Sequence, residues 1–558
     1  MSKNSYKETL NLPKTDFPME AKLTQREPET RRRWKESNLY QDIRRARRGA
    51  PKYILHDGPP YANGDVHAGT GLNKVLKDIV VRYKTMRGFD APFIPGWDCH
   101  GLPIEHRVVK ELGAKAATMS KSDIRKLCLD YAARHVDIQR RQFKSLGVLG
   151  DWENPYLTYD PRYEVAIVEL FEELWKRGHI AKKNKPIHWC MVCETALAEA
   201  ELEYKNIPSP SIYVRFRIDG DELRRRKLFE GAAIAKNVSL LIWTTTPWTL
   251  PANVATALHP TFEYSLVETG GEQFILCKET IARVAAIAGW KEPNILATAT
   301  GKELLDLPYA HPLWSEKQCR IVNANYIRTE DGTGCVHTAP GHGEEDYRTG
   351  LQYNLPVVSP VDKSGTFTEE AREFAGKKVF DANPSICRTL TQSGALLQQG
   401  EIAHDYPCCW RCKEPVIFRA TEQWFILVDE NDGRRKAIDA VRTTAWVPAW
   451  GEKRIGSMLA GRPDWCISRQ RSWGVPIPAF YCASCGKYLL TTESLGAIKA
   501  LFAERGANGW FDTAAEKILP PGTACPHCRH TTFTKETDIF DVWFESAASH
   551  RAVCMKHP

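Results

Sequence analysis

"NGDVHAGTGLNK", residues 63–74, follows the apolar run Tyr53-Ile54-Leu55 and opens a helical pattern. Apolar residues recur at Leu72, Val75, Leu76, Ile79, Tyr83 and Met86, while Lys74, Lys77, Asp78 and Arg82 take the other face. That spacing has the period of an amphipathic helix and predicts one beginning near Thr70. Strand, glycine-bearing loop and helix N-terminus together form an anion cradle. Free amide N–H groups and the positive end of the helix dipole can meet a phosphate, and His67 can donate a hydrogen bond to it. Many turns of this kind bind nothing, so the phosphate reading needs support from elsewhere in the chain.

A chain of 558 residues exceeds one compact core and predicts two to four domains. Its 43% hydrophobic and 26% charged residues are ordinary for a soluble protein, and no run of 18 apolar residues offers a membrane span. Met1-Ser-Lys-Asn-Ser-Tyr-Lys-Glu lacks the apolar core of a secretory signal, so a cytoplasmic protein is expected. The net charge is +8, and the first fifty residues hold thirteen Lys/Arg against seven Asp/Glu, concentrated in Arg31–Arg33 and Arg44–Arg48. Such runs suit a polyanion or a solvated helix face equally.

Eight of the 17 cysteines fall in four CxxC pairs: Cys190/Cys193, Cys409/Cys412, Cys482/Cys485 and Cys525/Cys528. Two thiolates on a tight knuckle supply half of a tetrahedral zinc site, so four knuckles predict two Zn2+ sites. Proximity in sequence joins 482/485 with 525/528 and leaves 190/193 to close with 409/412. Redox dithiols are the alternative, "CPHC" at 525–528 especially, and His527 or His530 are alternative ligands. If the first and second pairs share a metal, everything between them is an insertion on a zinc-clipped neck. Its strand signals, such as Val238–Trp243 and Phe274–Cys277, predict a strand-rich domain within a mixed α/β body.

The order of six motifs then carries a resemblance. "HDGPPYANGDVHAGT" (56–70), "PGWDCHGLPIE" (95–105), "LGDWENPYLTYDP" (149–161), "WTTTPWTLPANVA" (243–255), "GTGCVHTAPGHGEEDY" (332–347) and "ISRQRSWGVPIP" (467–478) resemble the class I isoleucyl-tRNA synthetases across essentially the whole chain. The resemblance implies a Rossmann-type α/β catalytic domain, incomplete here, interrupted by an α/β editing insertion. The expected division is an N-terminal extension and first Rossmann half (1–189), a zinc neck (190–204 and 400–420) and the editing domain (205–399). A return to the catalytic domain (421–480), a zinc-knuckle insertion (481–531) and the start of the second Rossmann half (532–558) follow.

The resemblance also implies roles. The family's His-x-Gly-His signature falls on His67-Ala68-Gly69-Thr70, with Thr70 in place of the second histidine; these residues would steady ATP, taken with Mg2+, during attack on its α-phosphate. Gly58 and Pro59 would line the isoleucine pocket, Asp98 would pair with the ammonium group and Trp543 would form an apolar wall. From the residues alone, Asp98 reads rather as a helix cap or a structural hydrogen bond. Cys99 and His100 suggest a metal, but no second pair accompanies them. In the insertion, Thr244, Thr245 and Thr246 would hold the terminal adenosine and ester, with Asn253 and His337 nearby and Asp346 on the ammonium. A hydrophobic pocket separates isoleucine from valine by only about 1–3 kcal/mol, a value established on this very enzyme family, so a second, hydrolytic sieve is needed.

"TMSKS" at 118–122 sits too early for the family's Lys-Met-Ser-Lys-Ser loop, and Ser120 or Ser122 instead reads as a helix cap. The family continues past the "DVWF" motif through that loop and an anticodon-binding domain. The expected function is therefore isoleucine–tRNA ligase, with editing of valyl-tRNA and with autonomous synthesis in doubt. The alternatives are a freestanding editing hydrolase and a noncatalytic zinc- and RNA-binding remnant. Expected partners are isoleucine, ATP and tRNA for isoleucine, with no membrane. A monomer is expected, with a separate C-terminal fragment as a further partner.

Overall fold

The computed structural model describes residues 9–555 apart from 12, 14 and 19. The opening octapeptide read against a secretory signal, and the last three residues, lie outside the described residues. Among those described, no helix is long and apolar enough to cross a membrane.

The first layer is a parallel sheet of short strands. Lys52 bridges Asp90 and Tyr61 bridges Asp98, both in parallel, and Gly96–Trp97 pairs in parallel with Tyr156–Leu157. Gly96 is required there, because a Cβ would lie 1.9 Å from the Tyr156 ring. Helices Ala68–Met86, Leu102–Leu112 and Lys121–Ser145 surround a core of Phe93, Trp97, Val136, Phe143 and Trp152. Ser120 caps the last of these helices by accepting from the Asp123 amide at 3.1 Å, so "TMSKS" is a helix start.

The helix Ala68–Met86 begins two residues before Thr70, close to where its period placed it, with His67 as its cap. Its apolar stripe points the other way from an ordinary core helix: Leu72, Val75, Leu76, Ile79, Tyr83 and Met86 are exposed, and Lys74, Asp78 and Val81 are buried. The periodicity is real, but the inner face is held by charge. Lys74 reaches Asp57 and lies over Phe93 and Phe143, while Asp78 takes the Leu149 amide at 2.9 Å and Arg82 at 2.6 Å. Part of the N-terminal basic run is structural as well, since Arg44 is ion-paired with Asp90.

Residues 180–190 leave this layer in a strand, Ile180–Cys190, that pairs antiparallel with Ile417–Ile426 from Ile180 opposite Ile426 to Trp189 opposite Ile417. Between them stands a 10-stranded sheet. Leu202–Asp219 leads into it and Leu396–Cys409 leads back, antiparallel, ending with Cys409 opposite Leu202. Asn237–Thr244 and Glu272–Cys277 lie inside this sheet as read from their β-branched and aromatic runs. Its core holds Ile212, Val214, Phe216, Leu240, Ile242 and Tyr309.

A third core, around Phe480, Trp510, Phe502 and Phe540, supports a small three-stranded sheet of Phe480–Cys482, Tyr488–Leu489 and Phe533–Lys535. Ser468–Arg469 then pairs with Ile539–Phe540, and Asp541 caps the helix Val542–Ala547. Arg469 is buried between Glu201 at 2.8 Å and Asp541 at 2.7 Å, which ties this helix to the start of the long sheet strand.

Candidate active and editing sites

His67 takes an extended conformation and its Nδ1 accepts from the Gly69 amide at 3.1 Å and the Thr70 amide at 3.4 Å. Thr70 Oγ1 returns the bond, accepting from the His67 amide at 3.1 Å, which completes a capping box. Two of the amides expected to face a phosphate are thereby occupied by the protein. Nδ1 accepts, so a neutral ring carries its proton on Nε2, on an exposed residue. An anion here would meet that Nε2–H and the helix dipole.

A few residues upstream, Asp57 is buried and accepts from Lys74, from Lys77 at 2.6 Å and from the Gly96 amide at 3.1 Å. Burial pushes Lys74 down to about 8, against the pull of Asp57. Lys77 also donates to the Gly58 carbonyl at 3.3 Å, so one cation orients both Asp57 and the Gly58-Pro59 turn. The next residues run beside Asp98: its amide donates to Pro60 O at 2.9 Å, and the Ala62 amide donates back to Asp98 O at 2.8 Å.

Asp98 is buried, and Ser546 Oγ donates to its Oδ2 at 2.6 Å. Its Oδ1 has no hydrogen-bond partner among the described residues. Burial raises the carboxyl to about 8, with the Ser546 bond opposing the shift and Glu545 and Asp541 adding to it. Trp543 lies one helical turn before Ser546 and is 47% exposed. The same helix turns Glu545 inward, where Oε2 meets His100 Nδ1 at 2.6 Å and Oε1 takes the Val475 amide at 2.8 Å. His100 also stacks edge-on against Trp473, and its place is a buried acid–imidazole contact outside any metal-ligating cluster. Sequence reading missed the roles of Ser546, Glu545, Trp473 and the lysine pair, although Trp473 lies in the 467–478 motif and Lys74 and Lys77 were placed on the polar face of their helix.

In the large sheet, Asn237–Thr244 ends where a tight turn leads into the short helix Pro247–Ala252. Thr244 Oγ1 accepts the Thr246 amide at 3.1 Å. A buried chain of hydrogen bonds then fixes the turn. Tyr309 donates to Asn253 Oδ1 at 2.8 Å, and Asn253 Nδ2 reaches His337 Nδ1 at 3.3 Å. His337 Nε2 meets Thr249 Oγ1 at 2.8 Å, and Thr249 donates to Thr246 O at 2.8 Å. The order of donors makes His337 neutral with its proton on Nε2, and burial holds it down to about 4. With both nitrogens engaged, His337 acts as a strut for the threonine turn. Thr245 sits half-buried at the centre of that turn.

Asp346 is in the first turn of Glu344–Tyr353. Its Oδ2 accepts from the Ala339 amide at 2.9 Å, two residues past His337, and its Oδ1 from Tyr326 at 3.2 Å. Lost hydration pushes it up to about 6. Tyr326 and Thr249 are further residues whose roles sequence reading missed, since neither belongs to a pattern of polar residues of its own.

The model of the tRNA synthetases of class I (I, L, M and V) matches residues 29–558. The chain belongs to the class I tRNA synthetases. It is 52% identical to the isoleucine–tRNA ligase of Natranaerobius thermophilus over 99% of this chain and 58% of that protein. Isoleucine–tRNA ligases of Caldanaerobacter subterraneus subsp. tengcongensis and Kosmotoga olearia are also 52% identical, over 99% and 98% of this chain and 59% and 58% of theirs. The chain therefore spans somewhat under three fifths of the length of these relatives.

This synthetase chain brings its eight paired cysteines into two groups, Cys190, Cys193, Cys409 and Cys412 beside the root of the long sheet, and Cys482, Cys485, Cys525 and Cys528 on the small one. His527 and His530 are outside the second group. The sulfurs of Cys190 and Cys412 are 3.5 Å apart, Cys482 and Cys528 3.4 Å, and Cys485 and Cys525 3.6 Å. A disulfide needs about 2.05 Å. Four thiolates around a zinc ion at ~2.3 Å lie ~3.8 Å apart, so both groups fit a tetrahedral thiophilic ion. The Cys193 amide donates to Cys190 Sγ at 3.2 Å, which suits a thiolate.

Proposed function

We propose that this chain carries the isoleucine-activating and the editing portions of an isoleucine–tRNA ligase. One observation carries the reading: a buried carboxylate oxygen, Asp98 Oδ1, has no partner among the described residues, beside the Gly58-Pro59 turn and the Trp543 helix. A buried acceptor without a donor is costly, and a ligand ammonium supplies the missing donors and charge.

Isoleucine then sits with its ammonium on Asp98 and its side chain toward Gly58, Pro59 and Trp543. Its carboxylate oxygen attacks the α-phosphorus of ATP; a P–O bond to the β-phosphate breaks, giving the acyl adenylate and Mg2+-associated pyrophosphate. His67 Nε2–H, at the positive end of its helix, stabilises the phosphate charge, with Gly69 leaving room and Thr70 holding the His67 backbone. Transfer to the terminal ribose of tRNA for isoleucine completes the reaction. In the insertion, Thr244, Thr245, Thr246, Asn253 and His337 shape the site at which valyl-tRNA is hydrolysed, with Asp346 on the ammonium. The two cysteine groups hold Zn2+ as cross-links at the neck and the small sheet, and zinc takes no part in the chemistry.

The test is calorimetric titration with isoleucine, isoleucinol and 3-methylpentanoate. Isoleucine and isoleucinol, which keep the ammonium, are expected to bind; 3-methylpentanoate is not, and Asp98→Asn is expected to lose both ligands. Equal binding of all three compounds overturns the assignment of Asp98.

A further inference from the structure

His100 lies two residues beyond Asp98 and is buried between two carboxylates that come from distant parts of the chain. Its Nδ1 is 2.6 Å from Glu545 Oε2, while its Nε2 is 3.9 Å from Glu164 Oε1, too far for a hydrogen bond. Among the described residues Nε2 has no hydrogen-bond partner. Glu545 takes the Val475 amide on its other oxygen at 2.8 Å, so it stands as an acceptor and Nδ1 carries the ring proton. Glu164 is held in turn by the Ala507 amide, which donates to its Oε2 at 2.7 Å. Burial raises Glu164 to about 7, against the pull of His100, which favours a neutral acid behind a neutral ring. The buried cation nearby, Arg125, gives its donors to Ser472 O, Gly474 O and Asn508 Oδ1 instead.

The backbone around His100 does not depend on that ring. Trp473 Nε1 donates to Cys99 O at 2.7 Å and the Gly101 amide donates to Trp473 O at 2.9 Å, so both flanks of His100 are already tied to the 472–475 loop. What the imidazole adds is a hold on Glu545.

That hold matters because of where Glu545 sits. The helix Val542–Ala547 has six residues, too few to keep a shape without its surroundings, so its orientation comes from its attachments. Asp541, ion-paired with Arg469 at 2.7 Å, fixes its start by accepting the Trp543 amide at 3.1 Å. Tyr163 Oη donates to the Glu545 carbonyl at 2.9 Å, a contact close to the helix axis that resists rotation weakly. Successive side chains leave a helix about 100° apart, so Glu545 and Ser546 grip the body in two directions. Glu545 reaches His100 and Val475, and Ser546 reaches Asp98 Oδ2 at 2.6 Å. With the first grip lost, the Ser546 hydroxyl alone resists rotation, and Trp543 turns with it.

We infer that His100 is a positioning residue of the proposed isoleucine site: its Nδ1–H fixes Glu545 and thereby the rotation of the helix that brings Ser546 to Asp98. The inference rests on the assignment of Asp98 as the ammonium partner. His100 itself touches no substrate.

The test is calorimetric titration of isoleucinol into this chain and into His100→Asn, His100→Gln and His100→Ala, with a melting curve for each. Asparagine puts an amide N–H where Nδ1–H stands, whereas glutamine puts it on the Nε2 side, toward Glu164. His100→Asn is expected to bind isoleucinol within about three-fold of the unsubstituted chain, and the other two to weaken it at least ten-fold, whichever of the three melts lowest. Should His100→Gln not fold, Glu545→Gln is the second variant. It keeps the length and an acceptor for the Val475 amide, loses the acceptor for Nδ1–H, and is expected to weaken isoleucinol by the same factor. Unchanged affinity in either glutamine variant overturns the inference. Losses in all three His100 variants that follow the fall in melting midpoint also overturn it, because the ring then acts by packing alone. If the unsubstituted chain binds no isoleucinol, or Asp98→Asn still binds it, the assignment of Asp98 falls and this inference with it. If Asp98→Asn abolishes binding while the His100 series leaves it unmoved, this inference falls alone.

Discussion

Ser546 donates to one carboxylate oxygen of Asp98 at 2.6 Å and leaves the other, a buried one, without a donor among the described residues. The contact joins residues 448 positions apart and favours the charged form of the proposed ammonium site against the burial that raises it. Burial holds Asp98 at about 8, above its ordinary 3.8, so the folded protein favours the neutral acid. A raised carboxyl stabilises the fold below its unfolded value and loses that contribution as pH rises from about 4 to about 8. Ligand binding has the opposite sign, because only the carboxylate pairs with an ammonium. Isoleucine affinity is expected to rise from pH 6 to pH 8 and to level off above it. Asp98→Asn should remove the slope and the binding while leaving the thermal midpoint at pH 8 unchanged or higher. Ser546→Ala should weaken isoleucine at least ten-fold, the loss of one hydrogen bond of about 1.5–3 kcal/mol to the charged form. Calorimetry over that pH range, with melting curves in parallel, measures both signs.

Lys74 and Asp57 form a buried pair on the inner face of the helix Ala68–Met86. Removing one member of such a pair leaves an uncompensated charge and costs about 3–5 kcal/mol, more than the pair itself contributes. Lys74→Met is expected to lower stability by an amount near the low end of that range, since Lys77 still reaches Asp57 at 2.6 Å. The double substitution Lys74→Met, Asp57→Asn should recover part of the loss. Urea unfolding of the unsubstituted chain, of Lys74→Met and Asp57→Asn singly, and of the double variant gives the coupling directly.

Much of this architecture was legible in the sequence, for stated reasons. Strands such as Asn237–Thr244 announce themselves through β-branched and aromatic runs, and four cysteine knuckles announce two clusters because few other arrangements use that spacing. The helix at 68–86 was legible in period but not in orientation. Periodicity tells which residues share a face, whereas the choice of inner face depends on Asp57, 17 residues before Lys74 in the chain. Ser546 and Tyr326 were illegible for a related reason. A lone hydroxyl has no pattern, and its meaning comes from a carboxylate that only the fold brings near.

Chelation should separate the two cysteine clusters. Purified chain is expected to hold close to two zinc ions, and Cys190→Ser and Cys525→Ser should each lose one. Cys190, Cys193 and Cys409 are buried at the base of the paired strands, whereas Cys485 and Cys528 are exposed. A chelator should therefore strip the second cluster first, and loss of the first should lower the thermal midpoint more, since thiolate coordination contributes folding energy outright. Metal analysis against time of chelation, with melting at each point, decides the order; loss of both ions together would show that the clusters are not independent.

Asp346 and the threonine turn are held by different parts of the same wall, and their substitutions should fail differently. Asp346 keeps both oxygens on protein donors, Ala339 N and Tyr326 Oη, yet each oxygen retains a second lone pair for an ammonium. Asp346→Asn keeps the shape and removes the charge, so release of valine from premade valyl-tRNA should fall at least ten-fold with no change in melting. Tyr326→Phe should cost less, because it removes one donor and leaves the carboxylate. His337→Ala breaks the bridge between Asn253 and Thr249, so it should lose both hydrolysis and stability, the latter by about 1–3 kcal/mol for the polar groups left unpaired. The pH dependence follows from Asp346 at about 6: hydrolysis should decline as pH falls through 6, and the Asn variant should lack that decline. With isoleucyl-tRNA as the control substrate, equal valine release by the unsubstituted chain and Asp346→Asn would remove the carboxylate from the reaction and leave the threonine turn as a binding surface alone.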